Sequence, residues 1–437
     1  MGLLSSRLTS SLNVDRQAFP LYLMNFLVNL GVGILAPVLP QLKSEFGVSY
    51  GEAGLIVSAF GLSRLVLDLP VGWASERIKP ARVLLLGTLL LVSGSVYAGL
   101  SSSFLQVVTA RAVMGAGSAM CATTALIILS HLSTPENRAK TLSMFPMGAM
   151  AGASFSPLIG GYLAALFDWR ISFYFCGFTA FSSFLWVALT QRERQGIRTR
   201  QTSRGEPAAH HARRRRPEGV SVSSTTAASA LIVVNVAVFT VYFSRQGSLQ
   251  ALVPLYSGNV LGLGTEVIGM LMSTSAILSV FALSLSGFLA DKYGRMPVFV
   301  PGAGCLLVGA MIIPFAQDLT QLMAAVVFLS LGGMTVSIPA VLIGDLSSRE
   351  SLSRNMGLLR FLTDAGIFAG PVILSSLVDY FGFEVPAFAD MGLLVVTTIS
   401  MLLFLPGSLR SRGALQLEDA TGTSKLAESG QTSRKSP

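Results

Sequence analysis

Twelve stretches of this chain are apolar for about as long as a helix needs to cross a bilayer, roughly 20 residues. They are residues 18–42, 52–74, 82–100, 103–130, 141–165, 171–190, 227–256, 264–290, 297–316, 319–344, 355–378 and 385–406. Within hydrocarbon, backbone donors and acceptors must be satisfied inside the segment, so such runs read as helices. The pattern predicts an all-α integral membrane fold of twelve transmembrane helices. The composition agrees: 51% of residues are hydrophobic and 12% charged, about half the charged share of an average soluble chain.

The charges between the runs are one-sided. Arg77, Lys79, Arg82, Arg138, Lys140, Lys292, Arg295, Arg349 and Arg354 fall in loops on one side, whereas the other side has only Lys43 and Arg170. By the excess of Lys and Arg in inner loops, the rich side is cytoplasmic and both termini lie there. A single long loop, 191–226, holds Arg192, Arg194, Arg198, Arg200, Arg204 and the run Arg213 to Arg216. The expected organisation is a cytoplasmic N-terminal tail (1–17), a six-helix bundle (18–190), a basic cytoplasmic linker (191–226), a second six-helix bundle (227–406) and a cytoplasmic tail (407–437). The net charge of +9 is then topology charge and not a nucleic-acid footprint. The Arg213–Arg216 run reads as solvated linker, with anionic lipid headgroups as the alternative contact.

The halves look like copies. Gly287-Phe288-Leu289-Ala290-Asp291-Lys292-Tyr293-Gly294-Arg295 is a tight charged turn between two runs, and Gly72-Trp73-Ala74-Ser75-Glu76-Arg77-Ile78-Lys79 is its weaker counterpart, offset by 215. Gly287 allows close helix approach, Gly294 supplies the turn, and Asp291 suits the positive end of a neighbouring helix. In the fifth run Gly152 and Pro157 precede Gly160-Gly161, and Gly366, Gly370 and Pro371 repeat the Gly-x4-Pro spacing in the eleventh at offset 214. At offset 216, Arg245-Gln246-Gly247 faces Asn29-Leu30-Gly31. Parallel repeats of this kind build transporters with a cavity between the halves.

These residues resemble the major facilitator superfamily. The turn from Gly287 to Arg295 is similar to its signature Gly-x-Leu-Ala-Asp-Arg/Lys-x-Gly-Arg. The first copy departs from it, with Glu76 for Asp, Lys79 for Gly and Pro80 for Arg. Gly152, Pro157, Gly160 and Gly161 resemble the antiporter signature Gly-x3-Gly-Pro-x2-Gly-Gly, Ser156 replacing one Gly. Arg111, Gly115 and Gly117 resemble the Arg-x3-Gly-x-Gly signature of twelve-span drug:proton antiporters, where the arginine is linked to proton transfer. The resemblance implies two pseudo-symmetric six-helix bundles around a central cavity, gates at the charged turns and at the fifth and eleventh helices, and proton-coupled efflux of a small organic molecule by alternating access.

Polar residues inside the runs mark the candidate site. A cation at the depth of Arg111 must face protein or water. Arg245 and Gln246 interrupt the seventh run beside Gly247 and Ser248, which suggests a locally opened helix lining a cavity. Asn25 and Asn29 are the matching polar residues of the first run. Arg64 with Asp68, and Arg360 with Asp364, are i, i+4 pairs that share a helix face. They form a cytoplasmic lock, or else Asp364 or Asp68 carries the coupling proton; Asp345 belongs with the gate. Cys121, Cys176 and Cys305 lie in apolar runs and give neither a disulfide framework nor metal spacing. No cofactor is expected. His131, His210 and His211 do not read as ligands. The expected partners are a small-molecule substrate, protons and lipid, with a monomer in the plasma (cell inner) membrane. An importer or facilitator of an anionic or neutral metabolite, and a non-transporting receptor or scaffold, are the alternatives. No catalytic cluster points to an enzyme.

Overall fold

A computed structural model describes residues 18–133, 137–201, 224–347 and 351–405. The two tails, most of the linker with Arg204 and Arg213–Arg216, Arg349 and the side chain of Glu76 lie outside the described residues. Among the described residues twelve helices are long and apolar enough to span a membrane. They are α1 (Ala18–Phe46), α2 (Tyr50–Arg77), α3 (Pro80–Gly99), α4 (Phe104–Leu132), α5 (Arg138–Leu166), α6 (Trp169–Gln201), α7 (Ser229–Asn259), α8 (Thr265–Tyr293), α9 (Met296–Phe315), α10 (Leu319–Leu346), α11 (Leu352–Phe381) and α12 (Glu384–Phe404). All regular structure described is helical, and each expected run falls on one of these helices, extending past it by at most two residues. Helix ends are labelled by alternation along the chain: those at the turns after even-numbered helices, such as α2–α3 and α8–α9, are called linker-side ends, and the others far-side ends.

Local chemistry sets the ends and the interruptions. Ser49 and Glu52 form a reciprocal capping box at the start of α2, and Asp318 accepts from the Gln321 amide to start α10. Gly47 adopts φ +61° after α1, a conformation only glycine takes cheaply. Regular helix in α1 gives way at Gly33-Ile34, four residues before Pro37; proline has no amide to donate to the Gly33 carbonyl. In α7 the helix is regular through Gly247 and then widens into a π turn, Ser248–Leu252, just ahead of Pro254, which leaves the Gln250 carbonyl without its usual donor. The opening expected at Arg245 is thus a widened turn that begins three residues later.

Packing divides the chain into two units. One holds α1–α6 together with the far-side ends of α7 (from Gln246), α8 (to Ala276) and α11 (Ile367–Phe383). The other holds the remaining parts of α7, α8 and α11 with α9, α10 and α12. The copies keep their internal contacts. A Cβ on Gly94 would lie 3.1 Å from the Ala110 carbonyl, and one on Gly309 would lie 2.8 Å from that of Ala325. Both pairs are related by an offset of 215. Glycines at these crossings let two backbones approach with no side chain between them.

Candidate functional site

In the first unit the far-side end of α8 packs on α5, and that of α11 packs on α2. The α5–α8 crossing is a glycine contact: a Cβ on Gly161 would lie 2.3 Å from the Thr265 carbonyl, and one on Gly269 would lie 2.5 Å from that of Pro157. The α2–α11 crossing repeats it, with Gly54 against the Pro371 carbonyl at 2.6 Å. Each crossing also carries a hydrogen bond from the residue after a proline. The Leu158 amide donates to Ser273 Oγ at 2.8 Å, and the Val372 amide donates to Ser58 Oγ at 3.1 Å. The two bonds are copies, since 372 − 158 = 214 and 273 − 58 = 215. Ser58 also donates to the Phe368 carbonyl at 2.6 Å. At the mouth of this seam the two Asp379 oxygens accept from the Tyr50 and Gly51 amides, each at 2.7 Å. A carboxylate on α11 thus caps the positive N-terminus of α2. Gly152 sits against the Phe26 carbonyl of α1, Gly160 against Ile34, and the Gly370 carbonyl lies 2.9 Å from a Cβ built on Gly247.

The linker-side turn is differently built. Gly294 takes φ +94° and its amide closes on the Ala290 carbonyl at 3.1 Å. Arg295 forms an ion pair with Asp345 at the end of α10. Asp291 and Lys292 are exposed, Lys292 lying over the Tyr293 ring, and Arg77 lies over Trp73. The close approach expected at Gly287 is not made: a Cβ on Gly287 or Gly72 would meet nothing within 4 Å. The glycines that bring helices together are at the far-side crossings and within the bundles.

Arg111 is 4% exposed and stacks over the Phe60 ring at 4.7 Å, while its Nε and Nη1 have no hydrogen-bond partner among the described residues. Arg245 donates to the Leu329 carbonyl at 3.4 Å and to Ser279 Oγ at 3.2 Å, so it ties α7 to α10 and α8. Asp364 is 2% exposed, with Arg360 Nε 3.7 Å from one oxygen. Arg64 and Asp68 both reach α4, through Ser118 and Thr123 at 3.4 Å each. Asn25 is taken up by the α1–α5 seam, donating to the Phe145 carbonyl at 2.8 Å, and Asn29 donates back to Asn25. Gln246 is half-buried. The offset of 216 that matched Arg245 with Asn29 does not hold. Gly152 touches Phe26 O and Leu30 N, and Gly366 touches Phe239 O and Phe243 N. The counterpart positions on α1 and α7 therefore differ by 213, and Asn29 matches Tyr242.

Three features escaped sequence reasoning. Asp390 on α12 is fully buried and accepts from Ser244 Oγ at 2.7 Å; its signal was a lone acid within the apolar run 385–406. Asp379 is a charge near a helix end, which is ordinary, and Ser58 and Ser273 carry no sequence signal beyond their offset of 215. Among the described residues, no group of His, Cys, Asp and Glu could hold a metal ion.

A duplicated twelve-helix membrane chain with buried charges and glycine-packed crossings is the architecture of a secondary transporter. The sequence matches the Major Facilitator Superfamily over residues 21–267 and 234–430, and the chain belongs to that family of membrane transporters. It is similar to the quinolone resistance protein NorA of Staphylococcus aureus, with 21% identity over 89% of this chain and 97% of that one. An uncharacterised MFS-type transporter of Methanocaldococcus jannaschii is also 21% identical, over 89% of this chain and 98% of its own. Among solved structures, the peptide transporter POT in complex with sulfate has a TM-score of 0.70 at 14% identity, covering 90% of this chain and 95% of that one. A bacterial homologue of the human lysosomal transporter Spinster, inward-facing and occupied, gives 0.68 at 16%, covering 89% and 96%. At these identities the structures share the fold.

Proposed function

We propose that this chain exports a small organic molecule from the cell by alternating access, coupled to proton entry. The supporting observation is the duplicated far-side seam. Two crossings hold α5 to α8 and α2 to α11 through glycine contacts and one serine hydrogen bond each. A single exchanged hydrogen bond is worth only about 1 kcal/mol net, so such a seam can close firmly and still open. Breaking it and closing the linker side, where Gly72, Glu76, Gly287 and Asp291 sit, is the alternation of access. The linker side is cytoplasmic by its Lys and Arg content. Asp364 is the coupling carboxylate in this reading: it is buried, and the Arg360 ion pair and a proton are alternative ways to neutralise it. Asp68 is the second candidate, and Arg111 and Arg245 with Gln246 supply polarity to the transport path.

The export direction is supported by the likeness to a quinolone resistance protein across nearly the whole chain. Expression in an efflux-deficient bacterium tests it. The chain should lower accumulation of a fluorescent quinolone or a lipophilic dye, and Asp364→Asn should restore accumulation. Raised accumulation would instead establish an importer.

A further inference from the structure

Arg245 lies midway along its span, 16 residues from one end of α7 and 14 from the other. Ser279 is at the centre of α8 and Gly333 near the centre of α10. All three belong to the second unit. The guanidinium reaches from α7 to both neighbours, donating to Ser279 Oγ at 3.2 Å and to the Leu329 carbonyl at 3.4 Å. Gly333 leaves the room for it: a Cβ there would lie 3.2 Å from Arg245 Nη1 and 3.4 Å from the Ser279 carbonyl. Both acceptors are neutral, and both bonds are longer than the roughly 2.8 Å of a close charge-assisted contact.

This cation has no counter-ion. Arg360 pairs with Asp364 and Arg295 with Asp345, whereas no acid pairs with Arg245 among the described residues. The first half is built differently at the same place. At offset 215 Arg64 stands for Ser279 and Ser118 for Gly333. Arg64 donates to Ser118 at 3.4 Å, and Asp68 follows one turn later on the same face. The second half has Leu283 at the position of Asp68, so its cation, supplied by α7, comes without an acid. Nor is Arg245 sealed in as Arg111 is. Arg111 is 4% exposed, with two closed-off nitrogens. Arg245 is half-buried, and its Nε makes no hydrogen bond and is not closed off. An isolated charge at this depth is costly and has to be met by an anion or by water.

We propose that Arg245 binds the carboxylate of a substrate carrying one negative charge. Two of the five guanidinium N–H groups are used by Ser279 and Leu329, and the Nε edge remains to donate to a carboxylate in parallel bonds. One uncompensated positive charge calls for one negative charge; a phosphate dianion would leave its second charge unmatched. Substrate sites of secondary transporters lie near this depth. The inference rests on the transport function proposed above and adds the charge of the cargo.

The test is binding of dansylglycine, which fluoresces in apolar surroundings and carries one carboxylate, to the full chain in phosphatidylcholine nanodiscs, with empty nanodiscs as background. Dansylglycinamide is its neutral counterpart of nearly the same shape. The wild type should bind dansylglycine saturably and roughly tenfold tighter than the amide, as hydrogen bonds to a charged group allow. Arg245→Gln should erase that preference, and Arg245→Lys, which keeps the charge and loses the fork, should retain part of it. Equal affinity of the wild type for the two probes would overturn the proposal. So would an undiminished preference in Arg245→Gln, or the absence of saturable binding above empty nanodiscs. The wild-type comparison decides the matter even where a variant fails to fold. Binding is read without transport, so equal affinities would leave export standing, and a carboxylate preference in a chain that moves nothing would overturn export and leave this site standing.

Discussion

Ser58 on α2 accepts the amide of Val372, the residue after Pro371 on α11, at 3.1 Å, while its own proton goes to the Phe368 carbonyl at 2.6 Å. One hydroxyl thus bonds on both sides of a proline kink in a neighbouring helix. Ser273 accepts from Leu158 in the copied position. Because proline interrupts the helical ladder, the backbone next to it is where an outside hydroxyl can be received.

Ser58→Ala and Ser273→Ala should each weaken far-side closure. Losing the acceptor of a buried amide costs about 1–3 kcal/mol, enough to shift a closed population by fivefold or more. Spin labels at the exposed Ser44 and Tyr380 report the distance across the far side. Each variant should increase the long-distance population, and the double variant should increase it further. Asp379→Asn should act in the same direction by weakening the cap on α2. Unchanged distance distributions in all of these variants would show that the seam does not set the closed state.

Glycine substitutions should separate contact from open space. Gly152→Val and Gly161→Val drive a side chain into the Phe26 and Thr265 carbonyls, which would lie 2.2 and 2.3 Å from a Cβ. Overpacking of this kind typically costs about 1–3 kcal/mol, and thermal unfolding in detergent should show both variants destabilised. Gly287→Ala meets nothing within 4 Å and should unfold within a degree or two of the wild type. A Gly287→Ala protein that is stable yet transports poorly would place the role of Gly287 in another conformation of the cycle.

The fold was legible because a bilayer admits so few backbone arrangements: length and apolarity of the runs alone specified the helices. The duplication was legible at Gly287–Arg295 and at Pro157 and Pro371, whose chemistry is backbone chemistry and survives divergence. What could not be read was partnership. Arg245 announced itself as a buried cation, but nothing in its neighbours named Leu329 and Ser279 as its acceptors. Asn25 looked like a cavity residue and is bonded into the α1–α5 seam. The offset of 216 was wrong by three residues on α1 and α7, nearly one turn, because helical repeats hide a shift that keeps the same face. Asp379 lies near a helix end, where a charge is ordinary.

Topology follows from the loop charges and has a direct check. A cysteine replacing the exposed Lys79, on the linker side, should react with an impermeant maleimide only after cells are permeabilised. One replacing the exposed Leu100, between α3 and α4, should react in intact cells. The reverse pattern would place the linker outside the cell and turn the proposed direction of transport around.

Proton-coupled transport through a buried carboxylate is decided by purified protein in proteoliposomes. The measurement is movement of a fluorescent substrate with and without an imposed proton gradient, for the wild type and Asp364→Asn, together with substrate exchange at equal pH. The wild type should accumulate substrate in response to the gradient, and an uncoupler should abolish this. The Asp364→Asn protein should exchange substrate but no longer accumulate it. Wild-type flux indifferent to the gradient would contradict proton coupling altogether. Full gradient dependence in Asp364→Asn would remove that residue from the role and leave Asp68 to be tested.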